Sequence, residues 1–88
     1  MPDHAKVIPR VVHCKREPYD VYIGRPSKWG NPWEIRGFSR VEVIRLYERY
    51  ILDSELIYDI GELRGKTLGC WCAPKACHGD ILLRLANP

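Results

Sequence analysis

Three of the chain's four cysteines fall within eight residues, Cys70, Cys72 and Cys77, and His78 directly follows the last. In a reducing compartment such a cluster reads as metal ligands or reactive thiols rather than as disulfides. In an extended segment Cys70 and Cys72 point to one face, because side chains alternate with a period of two. Pro74 then turns the chain, and Cys77 and His78 arrive at or just before the first turn of a helix. A helix N-terminus offers free backbone N–H groups and a partial positive charge, which lower a thiol's pKa and hold anions. The segment therefore suits three kinds of chemistry: holding a metal or cluster, ionising a thiol, or cradling a phosphate.

Metal ranks first, since soft thiolates favour zinc and iron–sulfur centres. A complete [4Fe–4S] cluster takes four cysteines, and Cys14 supplies the fourth if its strand neighbours that of Cys70. The expectation is an iron–sulfur cluster on Cys14, Cys70, Cys72 and Cys77, with zinc as the alternative and His78 as the alternative fourth ligand. The Cys-x-Cys-x4-Cys spacing is neither the paired Cys-x2-Cys of zinc ribbons nor the Cys-x2-Cys-x2-Cys run of ferredoxins. An enzyme would use the same atoms differently: Cys77 or Cys72 as nucleophile, His78 or His13 as base, and Asp80 as orienter. The bland alternatives are buried small residues for the cysteines and a favourable first-turn acid for Asp80.

A second constellation is Tyr22-Ile23-Gly24-Arg25-Pro26-Ser27-Lys28-Trp29-Gly30-Asn31-Pro32-Trp33. Gly24 and Gly30 permit close backbone approach, Arg25 and Lys28 can grip a phosphate beside Asn31, and Trp29 or Trp33 can stack on a base. The competing reading has the tryptophans closing the core and the cations in solvent. If both constellations lie at the same end of a sheet, they form one pocket.

The elements that must position these residues follow from periodicity. Val7–Cys14 is β-branched and reads as a strand that Pro9 places at an edge or delays at its start, and Asp20–Ile23 reads as a second short strand. Pro26, Gly30, Pro32 and Gly37 mark an ordered loop. Ser39 and Glu42 form a capping box, and Val41, Ile44, Tyr47 and Ile51 recur at helical spacing, so a helix runs from Arg40 to Leu52. Asp53-Ser54 caps a second short helix from Glu55 to Leu63, ended by Gly65. Thr67–Trp71 reads as a buried strand, and Ile81, Leu82 and Leu85 mark a last helix from near His78. The order β-β-loop-α-α-β-α predicts a single compact α/β domain over residues 1–88, a small sheet of about three or more strands covered by helices. A small α+β domain is the alternative.

Composition sets the bounds. Eighty-eight residues leave no room for a second core, and 45% hydrophobic with 28% charged is a globular balance. No apolar run approaches the roughly 18–20 residues that cross a bilayer, so no membrane partner is expected. The polar Met1–Lys6 segment lacks the apolar core of an export signal, which predicts a cytoplasmic setting. The net charge of +3 suits an anionic small molecule or, less specifically, nucleic acid.

YIGRPSKWGNPW at residues 22–33 and LRGKTLGCWCAPKACHGDILLRLAN at residues 63–87 strongly resemble a family of short phage and bacterial domains of unknown function. The second stretch also resembles, more distantly, an uncharacterised family whose strand–loop–helix carries a Cys…Cys-His-Arg signature. The resemblance implies a compact α/β fold with the two motifs converging, and a bacterial host cytosol if the protein is phage-encoded. It brings no established reaction. Three functions follow from the residues: a metal-binding protein, a thiol- or metal-dependent enzyme on a nucleotide-like substrate, or a nucleic-acid or protein-binding accessory module.

Overall fold

The computed structural model describes residues 8–33 and 38–88. The expected readings for Met1–Lys6, for Val7 as the start of the first strand and for Gly37 lie outside the described residues. Strands β1 (Val11–His13), β2 (Val21–Tyr22) and β3 (Leu68–Cys70) form a parallel sheet in the order β1-β3-β2. The late strand β3 therefore inserts between the two early ones, and β1 is an edge strand whose first residue, Val11, comes after Pro9. In register, Val11, Val12 and His13 face Leu68, Gly69 and Cys70, while Val21 and Tyr22 face Leu68 and Gly69. Helices α1 (Arg40–Asp53) and α2 (His78–Ala86) and a 3-10 helix (Glu55–Leu63) complete a small α/β domain. Among the described residues no helix is long and apolar enough to cross a membrane.

The start of α1 matches its local signal. The Ser39 hydroxyl accepts from the Glu42 N–H at 3.1 Å, and the Glu42 carboxylate accepts from the Ser39 N–H at 2.9 Å. Its core stripe differs from the expected one: Val43, Tyr47 and Ile51 are buried, whereas Val41 is 61% exposed. These three recur at i, i+4 and i+8, so the buried row is a single i±4 ridge rather than the mixed spacing read from the sequence. The segment after Ser54 is a 3-10 helix instead of an α-helix, a form that suits short connectors. Gly65, at φ +72°, follows its C-cap Arg64 in the left-handed region where glycine has no Cβ penalty.

The core joins Ile23, Trp29, Tyr47, Ile51, Leu63, Leu68, Leu82 and Ala86 with the thiol residues Cys70 and Cys77. Helix α2 can approach the sheet closely because Gly79 carries no side chain. A Cβ there would lie 2.8 Å from Ile23 Cδ1 and 3.0 Å from Val11 Cγ2. The approach brings the first residues of α2 beside the carboxyl end of β3, where the candidate chemistry lies.

Candidate metal centre and pocket

Cys70 ends β3, and Cys77 is the N-cap of α2. The Cys77 sulfur accepts from the Gly79 N–H at 3.3 Å, while Asp80 accepts from the Cys77 N–H at 3.1 Å. This is a capping box with cysteine in the serine role. Asp80 thus has a structural partner and is exposed, which accounts for it without chemistry. His78, the next residue, is buried; its Nε2 lies 2.8 Å from the Ile23 carbonyl, and its ring packs edge-on against Tyr47 at 4.8 Å. An Nε2–H that donates to Ile23 leaves the lone pair on Nδ1, the arrangement found where a histidine ligates a metal through one nitrogen and is oriented through the other.

The ligand atoms of Cys70, Cys77 and His78 all lie within 4.8 Å of one another, and all three residues are buried. Cys14 is not in this group. It stands in the turn that follows β1, where its N–H donates to the Cys70 carbonyl at 3.1 Å, and the residue in register with Cys70 is His13. Cys72 is also outside the group, though close to it: its N–H meets Cys70 Sγ at 3.5 Å and its thiol interacts with Cys70 and with Arg40.

The thiols divide unequally. Cys70 is pulled down to about 5, chiefly by the hydrogen bond from the Cys77 thiol, against the cost of burial and with help from the Cys72 N–H. Cys77 is raised because it donates to Cys70 and is buried, and Cys72 is raised mainly by burial. The thiol that is lowered is therefore neither of the two candidate nucleophiles, Cys77 and Cys72, but Cys70. Cys77 is held protonated by the partner it serves, and the charge resides on Cys70.

These residues form the floor of a pocket of about 340 Å³, whose walls include Gly24, Arg25, Asn31, Trp33, Arg40 and Trp71. The two sequence constellations thus converge at the carboxyl ends of parallel strands, where ligands bind in open α/β sheets. Arg25 Nε donates to the Asn31 carbonyl at 2.7 Å and its Nη2 to the Trp33 carbonyl at 3.1 Å, so the guanidinium braces the loop around the pocket. The Asn31 side chain accepts from the Trp33 N–H at 2.9 Å. Gly30 and Lys28 are not on the pocket wall. Lys28 turns instead to the Asp59 and Glu62 carboxylates at 3.2 and 3.0 Å and lies over the Trp29 ring. Trp29 is a core residue, 2% exposed, with its carbonyl accepting from the Tyr47 hydroxyl at 2.6 Å. Trp33 and Trp71 are the indoles that reach the pocket.

Arg40 is the wall residue that motif reading missed. It is the first residue of α1, and its Nη1 donates to the Ala76 carbonyl at 3.0 Å. One signal was legible: a cation in the first turn of a helix opposes the macrodipole, so its presence calls for a reason beyond helix stability.

A small α/β domain with two thiols and an imidazole gathered under a two-arginine pocket is the class that fold and site define. The chain belongs to the family described as a domain of unknown function, DUF4326, which matches residues 4–88. It is similar to the uncharacterised protein R718 of Acanthamoeba polyphaga mimivirus, at 39% identity over 85 residues, covering 75% of this chain and 65% of that protein. The chain therefore spans slightly less than two thirds of that relative. It is also similar to an uncharacterised 12.4 kDa protein in the nrdA-td intergenic region of Enterobacteria phage T4, at 39% identity over 83 residues, covering 89% and 77%. No solved structure matches the chain.

Proposed function

We propose that Cys70, Cys77 and His78 bind one zinc ion at the floor of the pocket. The observation that carries this reading is the convergence of their three ligand atoms within 4.8 Å. A tetrahedral zinc with bonds of about 2.0–2.3 Å holds its ligand atoms somewhat closer than that, so small side-chain rotations complete the site. The surroundings support it as well. Each of the two sulfurs accepts a backbone N–H, which suits a thiolate, and His78 is oriented through its second nitrogen. An all-cysteine [4Fe–4S] centre would need Cys14, which is not among the three gathered ligands. Two thiolates and one imidazole leave a tetrahedral metal one further position, which either Cys72 or a pocket ligand can fill.

The test is metal content and cobalt substitution on protein purified without oxygen. One zinc per chain is expected, with thiolate-to-cobalt charge-transfer absorption that is lost in Cys70→Ser and Cys77→Ser and retained in Cys14→Ser. A brown protein with iron and acid-labile sulfide, dependent on Cys14, would replace zinc with the cluster. A folded protein that takes up no metal would overturn the reading and leave the ionised Cys70 thiol as the reactive group of a metal-free enzyme.

A further inference from the structure

We infer that the pocket binds a nucleoside 5′-monophosphate, with the phosphate on Arg25 and Arg40 and the base against the indole of Trp33 or Trp71. The inference deepens the metal reading, since the ligand lies over the same floor, and it rests on that reading only for what the ligand would meet there. Its own support is the wall. A guanidinium has five N–H donors in a fixed fork. Arg25 spends two on the Asn31 and Trp33 carbonyls, and Arg40 spends one on Ala76 and also interacts with the Cys72 thiol. Each therefore keeps at least three donors while its position is already set by backbone carbonyls. Among the described residues neither arginine meets a carboxylate, whereas Arg10, Lys28, Arg49 and Arg84 all do. Pre-placed guanidiniums with spare donors match the geometry of a phosphate.

The rest of the wall selects the other half of the ligand. Trp33 is held edge-on by Tyr50 at 5.6 Å, and the Trp71 Nε1–H donates to the Tyr22 hydroxyl at 2.9 Å, which in turn donates to the Arg25 carbonyl at 3.1 Å. Both indoles are thus fixed in orientation, and Val43 and Ile44 add apolar wall between polar groups. An aromatic face beside a phosphate grip is the chemistry of a nucleotide site. A volume of about 340 Å³ lies at the lower end of the ~300–1,000 Å³ typical of small-molecule sites, which suits one nucleotide and not a polymer.

The experiment is calorimetric titration and tryptophan-fluorescence quenching with AMP, GMP, CMP and UMP, the corresponding nucleosides and inorganic phosphate. It is run on zinc-loaded and on chelated protein. At least one monophosphate should bind tenfold or more tightly than its nucleoside and than phosphate alone. Arg40→Gln and Arg25→Gln should each reduce that affinity about tenfold or more while zinc content and unfolding temperature are checked separately. Lys28→Met should leave it unchanged. If no monophosphate binds in either metal state, or if phosphate alone binds equally well, the nucleotide assignment is overturned, whatever the metal count shows. If both arginine variants fold and bind like the parent, the assignment of the phosphate to them is overturned.

Discussion

Replacing Gly79 with alanine tests whether the close approach of α2 is what assembles the site. The new Cβ would lie 2.8 Å from Ile23 Cδ1, 3.0 Å from Val11 Cγ2 and 3.2 Å from Val11 Cγ1. Carbon atoms rest at about 3.5–4.0 Å, so something must move by roughly half an ångström or more. Ile23 is fully buried and Val11 is stiff at χ1, which leaves α2 itself to give way. Overpacking of this kind costs about 1–3 kcal/mol. A gain in helix propensity offsets less than about 1 kcal/mol of it, because Gly79 is only the second residue of α2. The expected net loss is about 1–2 kcal/mol, a fall in Tm of very roughly 5–15 °C for a domain of this size. Because Cys77 and His78 ride on the displaced helix while Cys70 stays on β3, zinc affinity should fall as well. The assays are thermal unfolding of the metal-free protein and zinc titration against a competing chelator. Gly61→Ala is the control, since nothing lies within 4 Å of a Cβ there. An unchanged or raised Tm for Gly79→Ala would refute the packing argument.

Three further outcomes are expected. Tyr47→Phe strands the buried Trp29 carbonyl, which now accepts at 2.6 Å, so it should cost about 1–3 kcal/mol in denaturant unfolding; a loss under a few tenths would mean that the bond contributes nothing net. Lys28→Met removes exposed ion pairs to Asp59 and Glu62 and should change stability by less than about 1 kcal/mol, with a loss above that pointing to a tighter network than the exposure implies. In metal-free protein the Cys70 thiol should ionise near pH 5, read as ultraviolet thiolate absorbance that Cys70→Ser removes. The sign follows from the depressed value: the stabilisation is fully present above the ordinary thiol pKa of about 8.5 and is lost as pH falls toward 5. A midpoint near 8.5 would show that the thiols do not share a proton as the geometry has it.

Features with local causes were legible in the sequence itself. The Ser39–Glu42 box starts α1, Gly65 follows the 3-10 helix, β1 starts only after Pro9, and α2 begins at His78. Each depends on residues within a turn or two, where propensity and capping act. The convergence of both motifs was legible for a related reason, since parallel strands deliver their following loops to one edge. What only the tertiary structure decided depends on long-range partners. The register places His13, not Cys14, opposite Cys70, and β1 ends there, so that Cys14 falls in the turn beyond the strand and outside the gathered ligands. Lys28 is drawn from the expected anion site to Asp59 and Glu62, more than 30 residues away, while Arg40 reaches Ala76 across 36. Which thiol carries the charge was likewise set by contact: Cys70 is the sulfur that both other thiols reach, and a shared proton belongs to an arrangement in space rather than to a residue type.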